Sequence, residues 1–517
     1  MTDILLPQNL SQHDYMRFRD LVIERTGLEI GLRRRVTLVN GVLEGAVHTR
    51  CENLEQYFTL LKSTQTEDSL WDDLICKLTV GETYFFRNPS HIEALRAHIL
   101  PDLISRHRKD KRLRIWSAGC STGEEPYTLA IMLRRMVSDI DDWNVLILAT
   151  DINRESLKKA QAGHYRKWSF RQSHLAIKNI FFKPSGDTFE ILPSVREMVT
   201  FAYLNLAEGS YPSLVTNTNA MDLILCRNVI IYLPKSVTAA ITSRFYQSLS
   251  SGGWLVVGAS ETNHKYYQQF VTRNIGAATF YQKDSAIPTT LPGDDLKNAA
   301  ALPKKSKKPA PLPPTPIMPS VLLPPVTPVV PPSRSPAPEE PPQTSPHQAP
   351  TPAEIYQAGL DLYAQGQFEE ATGQYMAAIE TDPNMVMAYH QMARIRANQG
   401  RLEEAQSWCQ LALDRAPELL EAHYTLALIF IEENIPDQAI RQFKKVLYLD
   451  PNYILAHFGL GNLYQKNDQP EKASRHFAWA IRLAGRMTPE QVVPGSDVLT
   501  ADQLINMINT TRRFNSG

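Results

Sequence analysis

The last third of the chain repeats itself every 34 residues, and this period constrains the fold more than any other feature. Alanine and proline recur at that spacing, as Ala371, Ala405, Ala439 and Ala473 and as Pro383, Pro417 and Pro451. Turn-forming residues recur at a second phase, as Gly366, Gly400, Asn434 and Asp468. A small residue at a helix crossing and a proline at the boundary predict two antiparallel helices per unit. Because one pair cannot bury its apolar face alone, the units must stack into a solenoid.

Helix pairs of this length resemble tetratricopeptide repeats. We expect four repeats over residues 352–485, followed by a capping helix and tail over residues 486–517. Stacked helix pairs form a continuous core and leave a concave surface that binds protein segments. The region therefore predicts association with a protein partner and not chemistry.

A proline-rich stretch separates the repeats from the first half of the chain. Residues 286–351 hold more than half of the 36 prolines and almost no aromatic side chains. Such a composition cannot build a core, so we interpret the stretch as a linker with polyproline II character. Two roles stay open for it, a plain spacer or a docking segment for a proline-recognising module.

The composition excludes several classes of partner. Lys plus Arg number 54 and Asp plus Glu number 54, so the net charge of zero gives no reason to expect nucleic acid. The N-terminus lacks the pattern of a signal peptide, and no apolar run approaches the ~20 residues of a membrane helix. Five cysteines without a CxxC pair fit reduced thiols. We therefore expect a cytoplasmic protein with no membrane insertion and no metal.

The first half of the chain changes its pattern once. Residues 1–80 have the periodicity of helices and form a predicted helical N-terminal subdomain. From residue 81 to residue 285, short apolar strands alternate with helices. The predicted strands lie at 113–116, 145–150, 222–226 and 254–258. This alternation predicts an α/β, Rossmann-like domain in which helices cover both faces of a mostly parallel sheet.

The turn at residues 117–126, with the sequence SAGCSTGEEP, follows the first strand. Ligands of such sheets bind beyond the carboxyl ends of the strands, where Gly119 and Gly123 would let backbone amides approach closely. Asp151, at the end of the next strand, can accept hydrogen bonds from ribose hydroxyls. The turn lacks the G-x-G-x-x-G spacing, and Glu124 and Glu125 stand where a pyrophosphate would need neutral or positive surroundings. A cofactor with a ribose and a cationic sulfonium fits these acids better.

Four segments carry a specific resemblance. They are residues 78–87 (LTVGETYFFR), 116–127 (WSAGCSTGEEPY), 149–152 (ATDI) and 226–232 (CRNVIIY). With them, residues 12–284 resemble the CheR family of chemotaxis-receptor glutamate methyltransferases, some of which carry additional carboxyl-terminal repeats. The resemblance implies S-adenosyl-L-methionine as the cofactor, S-adenosyl-L-homocysteine as its product, and the cytoplasmic helical region of chemoreceptors as the protein substrate.

The resemblance also implies roles for individual residues. The predicted cofactor-binding residues are Thr83, Arg87, Gly119, Glu125, Asp151, Asn205, Leu206, Cys226, Arg227 and Asn228. Within this set, Glu125 would contact the amino group of the cofactor and Asp151 its ribose, while Asn205 and Leu206 would flank the adenine. Arg87 and Tyr232 are the catalytic candidates, because they would orient the substrate carboxylate.

Two features qualify this resemblance. Gly81 stands where the family often has asparagine, so one side-chain contact to the cofactor is lost or replaced. An insertion at about residues 165–201 is a predicted small β subdomain with a short hairpin. In the family this subdomain touches the receptor, and in some members it docks a carboxyl-terminal pentapeptide. The short hairpin favours an enzyme that does not need the pentapeptide.

Three functions remain possible from the sequence. The first is methylation of receptor glutamates, with the repeats docking a partner. The second is a signalling scaffold in which the methyltransferase domain turns over weakly or not at all. The third, a methyltransferase for small molecules or nucleic acid, is disfavoured by the neutral charge and by the four segments. We expect that deleting residues 352–517 leaves cofactor affinity unchanged but alters localisation or substrate choice.

Overall fold

The computed structural model describes residues 10–31, 34–64, 69–171, 175–208, 211–283, 350–489, 491–496 and 499–513. The predicted linker therefore lies outside the described residues, apart from its last two. Among the described residues, no helix combines the length and the apolar composition needed to cross a membrane.

The first described part of the chain forms four helices, where the sequence predicts a helical subdomain. They are α1 (Gln12–Thr26), α2 (Arg35–His48), α3 (Leu54–Ser63) and α4 (Ser69–Leu78). The side chains of Ser11 and Asn53 accept hydrogen bonds from backbone amides in the first turns of α1 and α3, which satisfies donors that lack a helical partner. Trp71 and Tyr57 are buried between the helices. This small core makes the four helices one packed subdomain.

The next part of the chain is the predicted α/β domain. Its elements in chain order are α5 (Pro89–Ala94), a π-helical turn (Leu95–Ile99), α6 (Leu100–Arg106), β1 (Arg112–Ala118), α7 (Glu124–Met136), a 3-10 turn (Ile140–Asp142), β2 (Asn144–Asp151), α8 (Arg154–Ala162), β3 (His164–Tyr165), a 3-10 turn (Lys167–Phe170), α9 (Leu175–Phe181), β4 (Phe182–Ser185), β5 (Thr188–Ile191), α10 (Pro193–Arg196), β6 (Val199–Tyr203), β7 (Met221–Cys226), a 3-10 turn (Ile230–Tyr232), α11 (Lys235–Ser248), β8 (Leu249–Val257), β9 (Val271–Ile275) and β10 (Ala278–Gln282).

Seven of these strands form one sheet in the order β6-β2-β1-β7-β8-β10-β9. The first five are parallel to their neighbours, and the last two add antiparallel at one edge. The strand order reverses between β1 and β7, because the chain runs outward from β1 on one side and from β7 on the other. Such a reversal opens a crevice beyond the carboxyl ends of the two strands, where ligands of α/β sheets bind.

Both faces of the sheet are covered, as expected for parallel strands. All six residues of β7 are buried. One apolar cluster lies under α7 and includes Leu133, and the other lies under α11 and includes Phe245. The sequence predicts this layering from its continuous apolar strands.

A second, three-stranded sheet has the order β3-β5-β4 and corresponds to the predicted β subdomain. Its hairpin turns at Gly186 and Asp187, between β4 and β5, as the sequence predicts. The subdomain is shorter than the predicted range of about 165–201. Val199–Tyr203 pairs in parallel with β2 and belongs to the large sheet instead. The short strand alone carries no signal that tells one sheet from the other.

The carboxyl-terminal region is a solenoid of helix pairs, which confirms the predicted repeats. The helices are α12 (Pro352–Ala364), α13 (Phe368–Thr381), α14 (Val386–Asn398), α15 (Leu402–Arg415), α16 (Leu420–Glu432), α17 (Pro436–Leu449), α18 (Ile454–Lys466), α19 (Pro470–Ala484) and a final α20 (Ala501–Arg513). The four periodic alanines are buried at the helix crossings. The four residues of the second phase have positive φ in the turn inside each pair, where the chain reverses.

Candidate functional site

The turn after β1 lies at the reversal point of the sheet. The amides of Gly119 and Cys120 donate to the carbonyl oxygen of Thr150 at 2.7 and 2.9 Å, which ties the turn to the end of β2. Gly119 has φ +80°, and a Cβ there would lie 2.3 Å from Cγ2 of Val229. Only glycine therefore lets the backbone run this close to the segment after β7.

Asp151 closes the same edge of the sheet. Its carboxylate accepts hydrogen bonds from the amides of Ser121 and Asn153, both at 2.8 Å. Burial raises the pKa of Asp151, while these amide hydrogen bonds favour the charged form. A carboxylate held by backbone amides keeps its orientation. It still has acceptor capacity for a ligand in the crevice.

Arg227, just after β7, joins three segments of the site. Its Nη1 donates to Oε2 of Glu125 at 2.9 Å, and its Nη2 donates to the carbonyl oxygen of Arg87 at 2.6 Å. The other carboxylate oxygen of Glu125 accepts a hydrogen bond from Ser117 Oγ at 2.7 Å. Arg227 is buried, so its charge depends on Glu125 as a partner.

Two buried polar atoms beside this ion pair are unsatisfied. Within the described residues, Nε of Arg227 and Oδ1 of Asn228 have no hydrogen-bond partner. Buried polar groups are nearly always paired, and both residues line the same cavity, so these two atoms call for an explanation. A ligand with both a carboxylate and an amino group would satisfy the two atoms.

The segment before α5 covers the crevice. Arg87 lies between two residues with positive φ, Phe86 at 59° and Asn88 at 62°. Nη1 of Arg87 donates to the carbonyl oxygen of Glu82 at 2.8 Å, and its guanidinium lies 5.7 Å from the ring centre of Tyr84. Non-glycine residues in this backbone region are strained and cluster at functional sites. The contacts with Glu82 and Tyr84 orient the side chain of Arg87.

One cavity collects nearly all of the predicted site residues. Those that line it are Thr83, Arg87, Gly119, Glu125, Asp151, Asn205, Leu206, Arg227, Asn228 and Tyr232. They come from segments up to 149 positions apart (232 − 83), so only the fold brings them together. The helical subdomain adds Thr26 and Leu28 to the walls, which the sequence did not predict.

Cys226 is the exception, because it is not among the residues that line the cavity. The residue lies on β7, where successive side chains point to opposite faces of the sheet. Leu225 lines the cavity, whereas Cys226 is fully buried in the apolar cluster under α11. Burial raises the pKa of the Cys226 thiol well above its ordinary value, so this cysteine is an inert part of the core.

Asn205 lines the cavity, but its side-chain amide forms hydrogen bonds with other residues of the protein. Its Nδ2 donates to the carbonyl oxygen of Arg25 and to Oε1 of Glu208, and its Oδ1 accepts from the amide of Ala207. These bonds tie the segment after β6 to the end of α1. The residue therefore shapes the wall of the cavity, and Leu206 beside it supplies apolar surface.

Glu261 is a residue whose role the sequence analysis missed. Its carboxylate accepts hydrogen bonds from the amides of Asn228, Val229, Ile231 and Gly258, at 2.7, 2.8, 3.2 and 2.6 Å respectively. It thereby shapes the segment that carries Arg227 and Tyr232. An acid shortly after a buried strand, as also seen at Asp151, is the signal that would have found it.

Comparison with known families matches both halves of the chain. The CheR methyltransferase SAM-binding domain matches residues 81–278. Tetratricopeptide repeat families match residues 356–419 and 427–468. These matches confirm the family resemblance and the repeat assignment.

Curated relatives match over most of their own length. A chemotaxis protein methyltransferase 2 from Vibrio cholerae is 31% identical over 275 residues, which cover 53% of this chain and 94% of the relative. A chemotaxis protein methyltransferase from Listeria monocytogenes is 33% identical, with 48% and 90% covered. One from Escherichia coli is 31% identical, with 51% and 89% covered. The chain therefore belongs to the CheR family of chemotaxis methyltransferases, as an S-adenosylmethionine-dependent methyltransferase with tetratricopeptide repeats at its carboxyl end.

Proposed function

We propose that this chain methylates glutamate side chains in the cytoplasmic helical region of chemoreceptors, giving glutamate methyl esters and S-adenosyl-L-homocysteine. The observation that carries the proposal is the pair of unsatisfied atoms, Nε of Arg227 and Oδ1 of Asn228, beside the carboxylate of Asp151 in one cavity. An amino acid joined to a ribose by a sulfonium matches this set of donors and acceptors. Bound S-adenosylmethionine supplies the electrophilic methyl group.

The residues of the chain divide the binding task. Asp151 accepts hydrogen bonds from the ribose hydroxyls. Arg227 and Asn228 meet the carboxylate and the amino group, and Glu125 adds negative charge near the amino group. Gly119 gives the ligand access to the backbone of the turn, while Thr83 and Leu206 contribute walls of the cavity.

The acceptor needs little acid–base help. An unperturbed glutamate has a pKa of ~4.3 and is already a carboxylate at neutral pH. The protein must therefore orient this oxygen and exclude water around it. Arg87 and Tyr232 do the orienting. Nη1 of Arg87 already donates to the carbonyl oxygen of Glu82, so the other N–H groups of the guanidinium meet the substrate carboxylate.

The surface around the cavity fits a helical protein substrate. Val80 and Ile231 both line the cavity and are about half exposed, at 48% and 49%. Exposed apolar side chains beside a polar site suit one face of an amphipathic helix. We place the reaction in the cytoplasm, where such receptor helices lie. We assign the repeats to an additional protein partner and expect no need for a receptor pentapeptide, since each hairpin strand has only four residues.

Radiolabelled methyl transfer to receptor-rich membranes tests the proposal. Asp151→Asn should weaken S-adenosylhomocysteine binding roughly tenfold or more, because the hydrogen bonds lost involve a charged acceptor. Arg87→Ala should lower kcat/KM for the receptor. The matched control is Asp141→Asn, whose exposed carboxylate pairs with Arg134 away from the cavity. It should change neither quantity.

One outcome favours the alternative function. If the wild-type protein binds S-adenosylhomocysteine but transfers no methyl group to any receptor, the chain is a signalling scaffold that acts through its repeats. Transfer to a small molecule or nucleic acid in place of receptor would contradict the proposed substrate class.

A further inference from the structure

The repeat domain (residues 352–513) contacts the methyltransferase domain along one edge. This edge is formed by the turns inside the helix pairs. Gln247 Nε2 donates to the carbonyl oxygen of Gly366 at 2.7 Å in the first repeat. A Cβ at Gly400, the equivalent position of the second repeat, would lie 2.7 Å from Cβ of Ala220. Glu432 at the end of α16 continues the edge in the third repeat. We call these turns the docking edge.

An ion pair at the centre of the docking edge is buried. Nη1 of Arg114 lies 2.5 Å from Oε2 of Glu432, and both residues are about 5% exposed or less. Arg114 belongs to β1, the strand that leads to the cofactor turn. Its guanidinium also donates to the carbonyl oxygens of Asn217 and Asn219 at 3.0 and 3.1 Å. One side chain therefore binds both the repeats and the loop before β7.

Glu432 is the carboxylate paired with the Arg114 guanidinium, and Arg112 adds a longer contact to the same carboxylate at 3.9 Å. Removing the carboxylate of Glu432 would leave a desolvated guanidinium charge, which is strongly unfavourable. Asn144 Nδ2 adds a weaker contact to the carbonyl oxygen of Glu432 at 3.4 Å. The contact therefore joins two strands of the sheet, β1 and β2, to the end of a single repeat helix.

The loop before β7 inserts apolar side chains between the repeats. Leu214 packs against the apolar core of the first repeats, which includes Met392, and Val215 packs against that of the last repeats, which includes Phe458. These contacts cover apolar surface of the repeats. A cation flanked by two adjacent aliphatic side chains is the chemistry that this surface binds.

The same loop reaches the cofactor cavity at its other end. Leu206 and Ala207 line the cavity, a few residues after β6. The hydroxyl of Tyr211 donates to the carbonyl oxygen of Leu206 at 3.0 Å, and the guanidinium of Arg244 lies over the Tyr211 ring at 4.8 Å. The hydrogen bond from Tyr211 therefore connects Leu206, which lines the cavity, to the part of the loop whose residues Leu214 and Val215 pack against the repeats.

We propose that the repeat domain is a built-in partner of its own methyltransferase domain, and that its docking on Arg114, Leu214 and Val215 strengthens cofactor binding through the β6–β7 loop. A protein that competes for the docking edge must offer a cation and adjacent aliphatic side chains, and it would weaken cofactor binding. By linkage, bound cofactor favours the docked arrangement by the same factor. The contacts argue against the independence of the two domains expected from the sequence.

The full-length chain with Glu432→Gln tests both steps. Amide hydrogen exchange measures docking, and we expect exchange within residues 211–220 to become at least about tenfold faster. Calorimetric titration with S-adenosylhomocysteine measures coupling, and we expect Kd to rise at least about fivefold. The control is Asp414→Asn, whose exposed carboxylate accepts from Gln410 Nε2 at 2.7 Å, near the opposite end of α15 from the turn at Gly400. It should leave both readouts unchanged.

A second variant attacks the same contact from the other domain. Leu214→Ser removes one inserted apolar side chain and leaves every residue of the repeats unchanged. It should also speed exchange within residues 211–220 and raise the Kd of S-adenosylhomocysteine. A shared response from variants in different domains excludes misfolding of one domain as the cause. Unchanged exchange in both variants would overturn the docking role, and faster exchange with unchanged Kd would overturn the coupling. The coupling rests on the proposed cofactor cavity. If the wild-type chain binds no S-adenosylhomocysteine, that cavity assignment fails and the coupling with it, while the exchange data still judge the docking.

Discussion

Gly81 and Gly119 line the same cavity, but their backbones differ. Gly119 has positive φ and lies against Val229, whereas at Gly81 the nearest atom to a new Cβ would be Ser121 Oγ, at 3.6 Å. Gly81 therefore has room for a side chain, at the position where the family often has asparagine. The fold therefore does not require glycine at position 81.

We predict that Gly81→Asn strengthens cofactor binding. One new hydrogen bond contributes about 1 kcal/mol, so the Kd of S-adenosylhomocysteine should fall roughly fivefold in a calorimetric titration. Gly119→Ala is the contrasting variant, and it should weaken binding more than about tenfold because its Cβ meets Val229. Weaker binding by Gly81→Asn at an unchanged melting temperature would contradict the prediction.

Residues that line the cavity can be predicted where a sequence motif contains them. They are harder to predict where the direction of a side chain decides whether it reaches the cavity. The acids and glycines of the cofactor turn were identified from the sequence, because short spacings place them beside one another. The sequence does not tell that the Cys226 side chain points away from the cavity, because adjacent strand residues point to opposite faces. Its own neighbours in sequence, Leu225 and Arg227, both line the cavity.

At the scale of elements, the segment between β7 and α11 depends on a carboxylate from another loop. Glu261 accepts four backbone hydrogen bonds, and three of them come from this segment. The segment carries Arg227, Asn228 and Tyr232, so the shape of the site depends on a residue that the cavity does not include.

We predict that Glu261→Gln disturbs binding more than its conservative character suggests. The amide nitrogen of glutamine would face backbone donors, leaving at least one of them buried without a partner at a cost of about 1–3 kcal/mol. The melting temperature should fall, and cofactor Kd should rise about tenfold or more in the same calorimetric assay. Glu155→Gln, which affects only an exposed pair with Lys158, is the control. Equal behaviour of the two variants would contradict this role for Glu261.

Periodicity in the sequence predicts where a strand begins and ends better than it predicts which sheet the strand joins. The predicted strands at 145–150 and 222–226 match β2 and β7 closely. The predicted range of the β subdomain includes residues 199–201, although the strand Val199–Tyr203 pairs with β2. Strand pairing is a contact between distant residues, and a short strand carries no local record of its partner.

At the scale of the whole molecule, ionic contacts secure the end of the sheet opposite the cavity. His107, after α6, forms hydrogen bonds with Asp222 at 3.1 Å and with Asp110 at 3.0 Å. Asp222 also accepts the amide of Arg114 at 2.9 Å. The hydrogen bond to Asp222 raises the pKa of His107 to about 9 against the opposing effect of burial. The charged imidazole thus helps hold the strand that carries Arg114.

We predict a pH-dependent contribution of His107 to stability. Its folded pKa lies above its unfolded value, so the stabilisation is fully present below about pH 6.5 and is lost as pH rises through about 9. The contribution is at most about 3 kcal/mol at low pH. The melting temperature of His107→Gln should therefore fall well below that of the wild type at pH 6 and approach it above pH 9. His98→Gln, on the exposed part of the same helical segment, serves as the control. A constant difference across this range would contradict the ion pair.

The sequence by itself determined the kinds of structure in this protein. The 34-residue period, the apolar strands and the cofactor turn are local patterns, and local backbone preference and side-chain periodicity are written in short stretches of sequence. They predicted the α/β domain, the repeats and the cofactor turn, whereas the other cavity residues were implied by the family resemblance. Tertiary structure alone decided which face Cys226 occupies, what Glu261 supports and where the repeats dock. Arg114 and Glu432 are 318 residues apart in the sequence. Nothing in the sequence around either residue marks it as one half of a buried ion pair. Periodicity shows that a helix or strand has an apolar face that must be buried. Which other part of the chain buries it depends on tertiary packing.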